Sequence, residues 1–165
     1  MVEISKEDIA YVAGYFDGEG FISIIPYHRT GKSRNIELTY YRLVVAISNT
    51  YFPTINWLKS KFGGSTFICN ESVRKHSPHH LPQMRWQLQS SKAVNFLETI
   101  MPYLQQKKRE AEIAVAFYSY KADGNKTAKE NAYLLSNQKE LCNTLRLVRK
   151  ENIIENQKFK EAIGE

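Results

Sequence analysis

Val12-Ala13-Gly14-Tyr15-Phe16-Asp17-Gly18-Glu19-Gly20 is the stretch on which the reading of this 165-residue chain turns. Just upstream, Ser5 and Asp8 form a capping-box pair, and Ile9, Val12, Ala13 and Phe16 recur at three- and four-residue spacing. That pattern predicts an amphipathic helix running to about Asp17. Gly18 and Gly20 end it, because glycine accepts the turn beyond a helix terminus. Ala10, Ala13 and Gly14 are small enough to let another backbone approach the helix closely. Asp17 and Glu19 put negative charge where the macrodipole already supplies about −0.5, a repulsion of a few tenths of a kcal/mol. A divalent cation held there by Glu19 would reverse the sign of that penalty. A second copy packed through Ala10, Ala13, Gly14 and Asp17 would bring two Glu19 carboxylates together. The plainer alternative is a solvated Asp-Gly-Glu-Gly turn after an ordinary core helix.

Outward from this helix, Phe21–Tyr27 and Tyr40–Ile47 are rich in aromatic and β-branched residues and read as strands. The polar run from Arg29 to Asn35 joins them, and Pro26 marks a bulge or an edge position. Pro53 suits a helix start, Ile55, Leu58 and Phe62 share one face, and Gly63-Gly64 closes the element. Ser65–Asn70 and Gln83–Gln89 make a second strand pair. The latter alternates strictly, with Met84, Trp86 and Leu88 against Gln83, Arg85, Gln87 and Gln89, so one face is buried and the other polar. The connection between them carries His76, His79 and His80, which read as a loop rather than a zinc site, since no fourth ligand lies near. Val94, Leu97 and Ile100 mark a helix before Pro102, and another follows from about Lys107 to Tyr120. Thr127 and Glu130 form a further capping box, and Leu141, Leu145 and Val148 mark a last major helix with a weak tail through Phe159. The expected fold is α+β, in the order αββαββα with additional C-terminal helices. One domain spans residues 1–165, with a core of about 5–120 and a helical extension of about 126–165.

Hydrophobic residues make up 42% of the chain and charged ones 24%, which excludes a disordered protein. No apolar run reaches the ~20 residues a membrane crossing needs, and no signal peptide is visible. Cys69 and Cys142 stand far apart, so buried thiols in a reducing compartment are expected rather than a disulfide. Residues 1–20 carry one basic and five acidic side chains, residues 21–90 nine basic and two acidic, and residues 91–165 thirteen basic and ten acidic. An acidic opening before a basic middle suits phosphodiester chemistry, with carboxylates for metal and cations for phosphate.

Taken together, these residues resemble the signature of the LAGLIDADG homing endonucleases, in particular the single-motif members that act as homodimers. Ile47-Ser48-Asn49, then Ile55, Leu58 and Phe62-Gly63, is similar to that family's second strand and following helix. Met101-Pro102-Tyr103-Leu104 with Gln105-Gln106-Lys107-Lys108 is similar to its P-x-L-x-x-K block. The resemblance covers roughly residues 9 to 115. It implies a homodimer that cuts a long near-palindromic double-stranded DNA site with a stagger, by Mg2+-dependent hydrolysis; Mn2+ or Ca2+ could occupy the same site. It implies Glu19 as metal ligand with the Gly18 carbonyl in support, Asp17 orienting the helix end, Asn49 positioning active-site water, and Lys107 stabilising developing charge. A second basic residue usual just after the Asn49 position is absent, with Tyr51, Phe52 and Pro53 standing there. No further small-molecule cofactor and no membrane partner is implied. The resemblance also implies an intron-encoded gene, with an intein or a free-standing gene left open, and an intracellular protein of an organelle (mitochondrion or chloroplast) or of an archaeal or bacterial cytoplasm. Lys121-Ala122-Asp123-Gly124-Asn125 lacks the small pair and second acid of the signature and is not a second copy of it.

In this family each subunit lays its sheet in the major groove. Alternation then offers Ser23, Ile25, Tyr27 and Arg29 on the first strand and Tyr40 and Arg42 on the second as base readers. The second strand pair offers Thr66, Ile68, Asn70, Gln83, Arg85, Gln87 and Gln89. Arginine suits guanine and glutamine suits adenine in bidentate geometry. Lys32, Arg34, Arg74 and Lys75 are expected to hold phosphate. For any single residue a solvated polar face is the alternative. A non-cleaving nucleic-acid-binding protein of the same fold, an intron maturase or a DNA-binding regulator, is the competing function. A basic protein-interaction domain is a third.

Overall fold

Ser5 opens the first helix by a reciprocal capping box: its hydroxyl accepts from the Asp8 N–H at 3.1 Å, and its own N–H donates to the Asp8 carboxylate at 3.3 Å. The computed structural model describes residues 4–29, 38–69, 81–121 and 126–163. In chain order the elements are α1 (Lys6–Glu19), β1 (Gly20–Arg29), β2 (Leu38–Asn49), α2 (Phe52–Phe62), β3 (Ser65–Cys69), β4 (Gln83–Gln89) and α3 (Ser91–Ile100). A short 3-10 turn (Met101–Tyr103), α4 (Lys108–Ser119) and α5 (Ala128–Ile163) follow. The αββαββα order with helices appended is therefore present.

The four strands form one antiparallel sheet in the order β1-β2-β4-β3. β1 and β2 pair without interruption from Gly20↔Ile47 to Arg29↔Leu38, so Pro26 sits in an edge strand and makes no bulge. One sheet face is apolar: Ile22, Ile24, Leu43, Val45, Ile47, Trp86 and Leu88 pack against Val12, Ala13 and Phe16 of α1, Ile55 and Leu58 of α2, and Phe96 and Leu97 of α3. Trp86 centres this core, edge-on to Phe62 and Phe96, and its indole N–H donates to the Gly63 carbonyl at 2.7 Å. Gly64 has a φ of +89°, and a Cβ there would lie 2.5 Å from the Gln87 carbonyl oxygen, so both backbone and space demand glycine where α2 turns into β3.

The C-terminal extension begins at the expected capping box and keeps to a single element. It is one continuous helix of 36 residues, because no glycine or proline interrupts residues 128–163. The Thr127 capping box starts it, with the Thr127 N–H donating to the Glu130 carboxylate at 2.7 Å. Gln138, Cys142, Leu145 and Val148 form its buried stripe, against α4 and β2. Buried Glu110 of α4 accepts from Arg149 Nε at 2.9 Å and ties the two helices together. Both cysteines are free; Cys142 is buried, and burial pushes its thiol pKa up, whereas Cys69 is only half-buried. No helix among the described residues is long and apolar enough to cross a membrane.

Candidate active site and nucleic-acid interface

The signature helix α1 has two unlike faces. Ala13 and Asp17, one turn apart, point inward and are buried. The Asp17 carboxylate accepts the backbone N–H of Gln105 at 2.7 Å and that of Lys107 at 2.9 Å. In return, Lys107 Nζ donates to the Asp17 carbonyl oxygen. Asp17 therefore clamps the segment between the 3-10 turn and α4, and it fixes Lys107 at the C-terminal end of α1. The expectation that Ala13 and Asp17 form a dimer surface is corrected, since their own chain covers them. Ala10, Gly14 and Gly18 lie outward and exposed. A Cβ built at Gly14 or Gly18 meets nothing within 4 Å, so packing inside this chain does not require glycine at either position.

Glu19 is exposed at the last position of α1. One turn before it stands Tyr15, half-buried, whose phenol is pushed up in pKa first by burial, then by the Glu19 and Tyr11 charges, while a hydrogen bond from Asn49 opposes the rise. Asn49 ends β2 on the helix side of the sheet, opposite Met84. Its Oδ1 accepts the Tyr51 N–H at 2.8 Å, which leaves the amide N–H to face the Tyr15 oxygen. Glu19, Tyr15, Asn49 and Lys107 thus gather around one helix end. Tyr15 was not singled out from sequence; the signal that could have found it is its four-residue spacing from Glu19, which puts both side chains on one helical face. Tyr51, standing where the second basic residue was sought, is exposed and occupies the N-cap of α2.

The other sheet face gathers most of the expected readers. The β1–β2 register sets Ser23 opposite Val44, Ile25 opposite Arg42 and Tyr27 opposite Tyr40, and β4 adds Gln83, Arg85, Gln87 and Gln89. On β3 the parity is reversed from expectation. Thr66 and Ile68 lie opposite Trp86 and Met84, on the helix side, whereas Ser65, Phe67 and Cys69 lie opposite Gln87, Arg85 and Gln83. A one-residue slip exchanges the faces of a whole strand, and β3 has no fully buried residue to announce its parity. Phe21 and Phe67 also reach this face, where the Arg85 guanidinium carbon lies 5.1 Å and 5.9 Å from their rings. Of Arg29 only the backbone is described, opposite Leu38. Lys32, Arg34, Asn70, Arg74, Lys75 and the three histidines of the β3–β4 connection lie outside the described residues.

Comparison with solved structures decides the fold. The homing endonuclease I-CvuI, in complex with DNA in the presence of Mg, superposes with a TM-score of 0.68 at 16% identity, over 87% of this chain and 82% of that one. The fold is that of the LAGLIDADG homing endonucleases. The archaeal intron-encoded homing endonuclease I-Vdi141I, complexed with DNA, matches with a TM-score of 0.59 at 14% identity, covering 89% of this chain and 98% of that one. The LAGLIDADG homing endonuclease I-GzeII, also in complex with DNA, matches at 0.55 and 15% identity, over 81% of this chain but only 43% of its own. No protein-family profile and no curated protein sequence matches the chain.

Proposed function

We propose that this chain is a site-specific double-stranded DNA endonuclease, working as a homodimer that makes a staggered cut in a long near-palindromic site by metal-dependent phosphodiester hydrolysis. The observation that carries the reading is the gathering of Glu19, Tyr15, Asn49 and Lys107 at the α1 terminus, the end where the open sheet face begins. The homing endonuclease I-CvuI, of the same fold, has been solved on DNA in the presence of Ca and, with the DNA not cleaved, of Mg, which supports the duplex-binding part of the reading.

The donor chemistry at α1 fits a hard divalent cation. Glu19 supplies a carboxylate and Gly18 a helix-terminal carbonyl, and hard cations take oxygen ligands. Among the described residues no group of three or more His, Cys, Asp or Glu side chains comes together, so one chain offers an incomplete site. A second chain and a phosphate would complete it, which is why we read Ala10, Gly14 and Gly18 as the face on which two protomers meet. A bound Mg2+ or Mn2+ supplies an acidified water and neutralises charge on the leaving oxygen. Asn49, anchored by the Tyr51 N–H, would hold the Tyr15 hydroxyl beside Glu19, where it could position an attacking water. Lys107 places a positive charge beside the helix terminus for the charge that develops on phosphate.

One observation favours a second reading. Tyr51, Phe52 and Pro53 replace a basic residue, and the remaining cation, Lys107, is engaged with the Asp17 carbonyl. A non-cleaving maturase or DNA-binding regulator on the same fold would show that combination. Magnesium-dependent cleavage of a randomised near-palindromic duplex library, with Glu19→Gln run beside the parent, separates the two. Staggered cuts at one enriched site, absent in Glu19→Gln, are expected. Enrichment by binding with no cutting from either protein would establish the second reading instead.

A further inference from the structure

Arg85 of β4 and Arg42 of β2 stand on the open sheet face, Arg85 against two aromatic rings and Arg42 against one, and each is tied by one hydrogen bond. Arg85 Nε donates to Ser48 Oγ at 2.9 Å while the guanidinium carbon lies over the Phe21 ring at 5.1 Å and the Phe67 ring at 5.9 Å. Two rings and a hydroxyl fix its plane and use Nε, and the two terminal nitrogens form an end-on fork. Such a fork matches O6 and N7 of guanine in the major groove. Arg42 lies 4.9 Å over the Tyr27 ring, and its Nη1 donates to Gln89 Oε1 at 3.3 Å. Its Nε and Nη2 remain as a side-on fork with the same donor spacing. Holding both side chains before DNA arrives reduces the rotamer entropy lost on binding.

The spacing of the two is set by β2. Ser48, the register partner of Arg85, is six residues along that strand from Arg42. At ~3.3 Å per residue the separation is about 20 Å, or about six base-pair steps at ~3.4 Å each. Ser48 adjoins Asn49, so the Arg85 end of the sheet is the one nearer the Glu19 terminus.

Given the duplex-binding reading above, we propose that each protomer reads two guanines about six base pairs apart, Arg85 the one nearer the centre of the site and Arg42 the outer one. The test is selection of duplexes randomised over about two helical turns, by binding to the full chain in calcium, then sequencing of the retained pool. The parent protein is expected to enrich two guanines at that spacing in each half. Arg85→Gln is expected to move the inner preference from guanine to adenine and leave the outer one, because glutamine pairs with adenine N6 and N7. Arg42→Ala is expected to lose only the outer preference, and either change lowers affinity for the parent's site roughly ten- to a hundredfold. A switch of base at one position cannot arise from misfolding. An enriched site without the spaced pair, or an inner base that Arg85→Gln leaves unchanged, overturns the proposal while the duplex-binding reading stands. Failure to enrich any duplex overturns both. The readout is binding, so a protein that binds without cutting still returns the answer.

Discussion

Along α1, neighbouring residues meet opposite circumstances. Asp17 faces inward and satisfies two backbone N–H groups far along the chain, and Ala13 beside it is sealed in the core. Gly14 and Gly18 face outward with open space around the place a Cβ would occupy. Gly20, at the same helix end, is different again: a Cβ there would lie 2.3 Å from the Phe16 ring, so the fold itself demands glycine. A residue that the chain's own packing requires explains itself within one molecule. Small outward residues beside an exposed carboxylate, none of them required by the packing, are the ones to test for a role outside the chain, and at the end of α1 these include Gly14, Gly18 and Glu19.

The largest effect should come from the outward side. Glu19→Gln removes the one carboxylate of the proposed metal site, and loss of several kcal/mol of transition-state stabilisation corresponds to about 10³-fold or more in rate. Single-turnover cleavage should show that loss while gel-shift affinity for the same duplex stays within about twofold. Cutting by the variant at the parent's rate would remove Glu19 from the site. On the inward side, Asp17→Ala removes the charged acceptor of two part-buried N–H groups, each such bond being worth ~1.5–3 kcal/mol. Urea unfolding should register a loss of about 3 kcal/mol. An unchanged midpoint would mean that the 105–107 segment does not depend on the clamp.

How far these roles could be read from the sequence depended on how local their causes are. The Ser5 capping box, the Gly63-Gly64 turn and the alternation of β4 are set by neighbours within a few residues, and each was legible. Asp17 was not, because its partners Gln105 and Lys107 lie 88 and 90 positions away, and an acid at a helix end looks the same whether it turns in or out. The parity of β3 was hidden for another reason: Ser65, Phe67 and Ile68 are all exposed, so hydrophobicity carries no sign there. Glu19 stood out by its charge at the negative end of α1, whereas Asn49 and Lys107 were singled out only through family resemblance. Tyr15, which joins two of them, became visible once Asn49 was seen with its oxygen already engaged.

Tyr15→Phe sharpens the outward set at smaller scale. Removing the hydroxyl deprives Asn49 of its partner near Glu19, and loss of an outer-shell orienting group lowers activity about 10- to 100-fold. The drop should fall on the cleavage rate with DNA affinity unchanged, and Asn49→Gln, with its longer reach, should restore part of it. An equal loss of affinity would mark Tyr15 as structural. Gly14→Leu tests the remaining outward position. A Cβ there meets nothing within 4 Å, so the side chain starts into open space in the single chain, and replacing a helical glycine gains up to about 1 kcal/mol. Sedimentation should then find a folded monomer where the parent is a dimer. A stable dimer of Gly14→Leu would place the contact elsewhere.

The smallest effect is the one most particular to this reading. Glu19 is the last residue of a helix whose final turn carries no basic side chain, so in the absence of metal its carboxylate faces the negative end of the dipole. Neutralising it as Glu19→Gln should raise stability by about 0.3–0.5 kcal/mol at low salt, and the gain should shrink as salt screens it. Divalent cation reverses the order, because a ligand that binds only the native state of the parent adds stability that the variant cannot receive. Thermal melting of both proteins, in chelator and then in magnesium, reads the crossing directly. A glutamate kept only for solubility would give curves that stay parallel in both conditions. Crossing curves would show that its charge is unfavourable to the helix by itself and favourable only with a cation beside it.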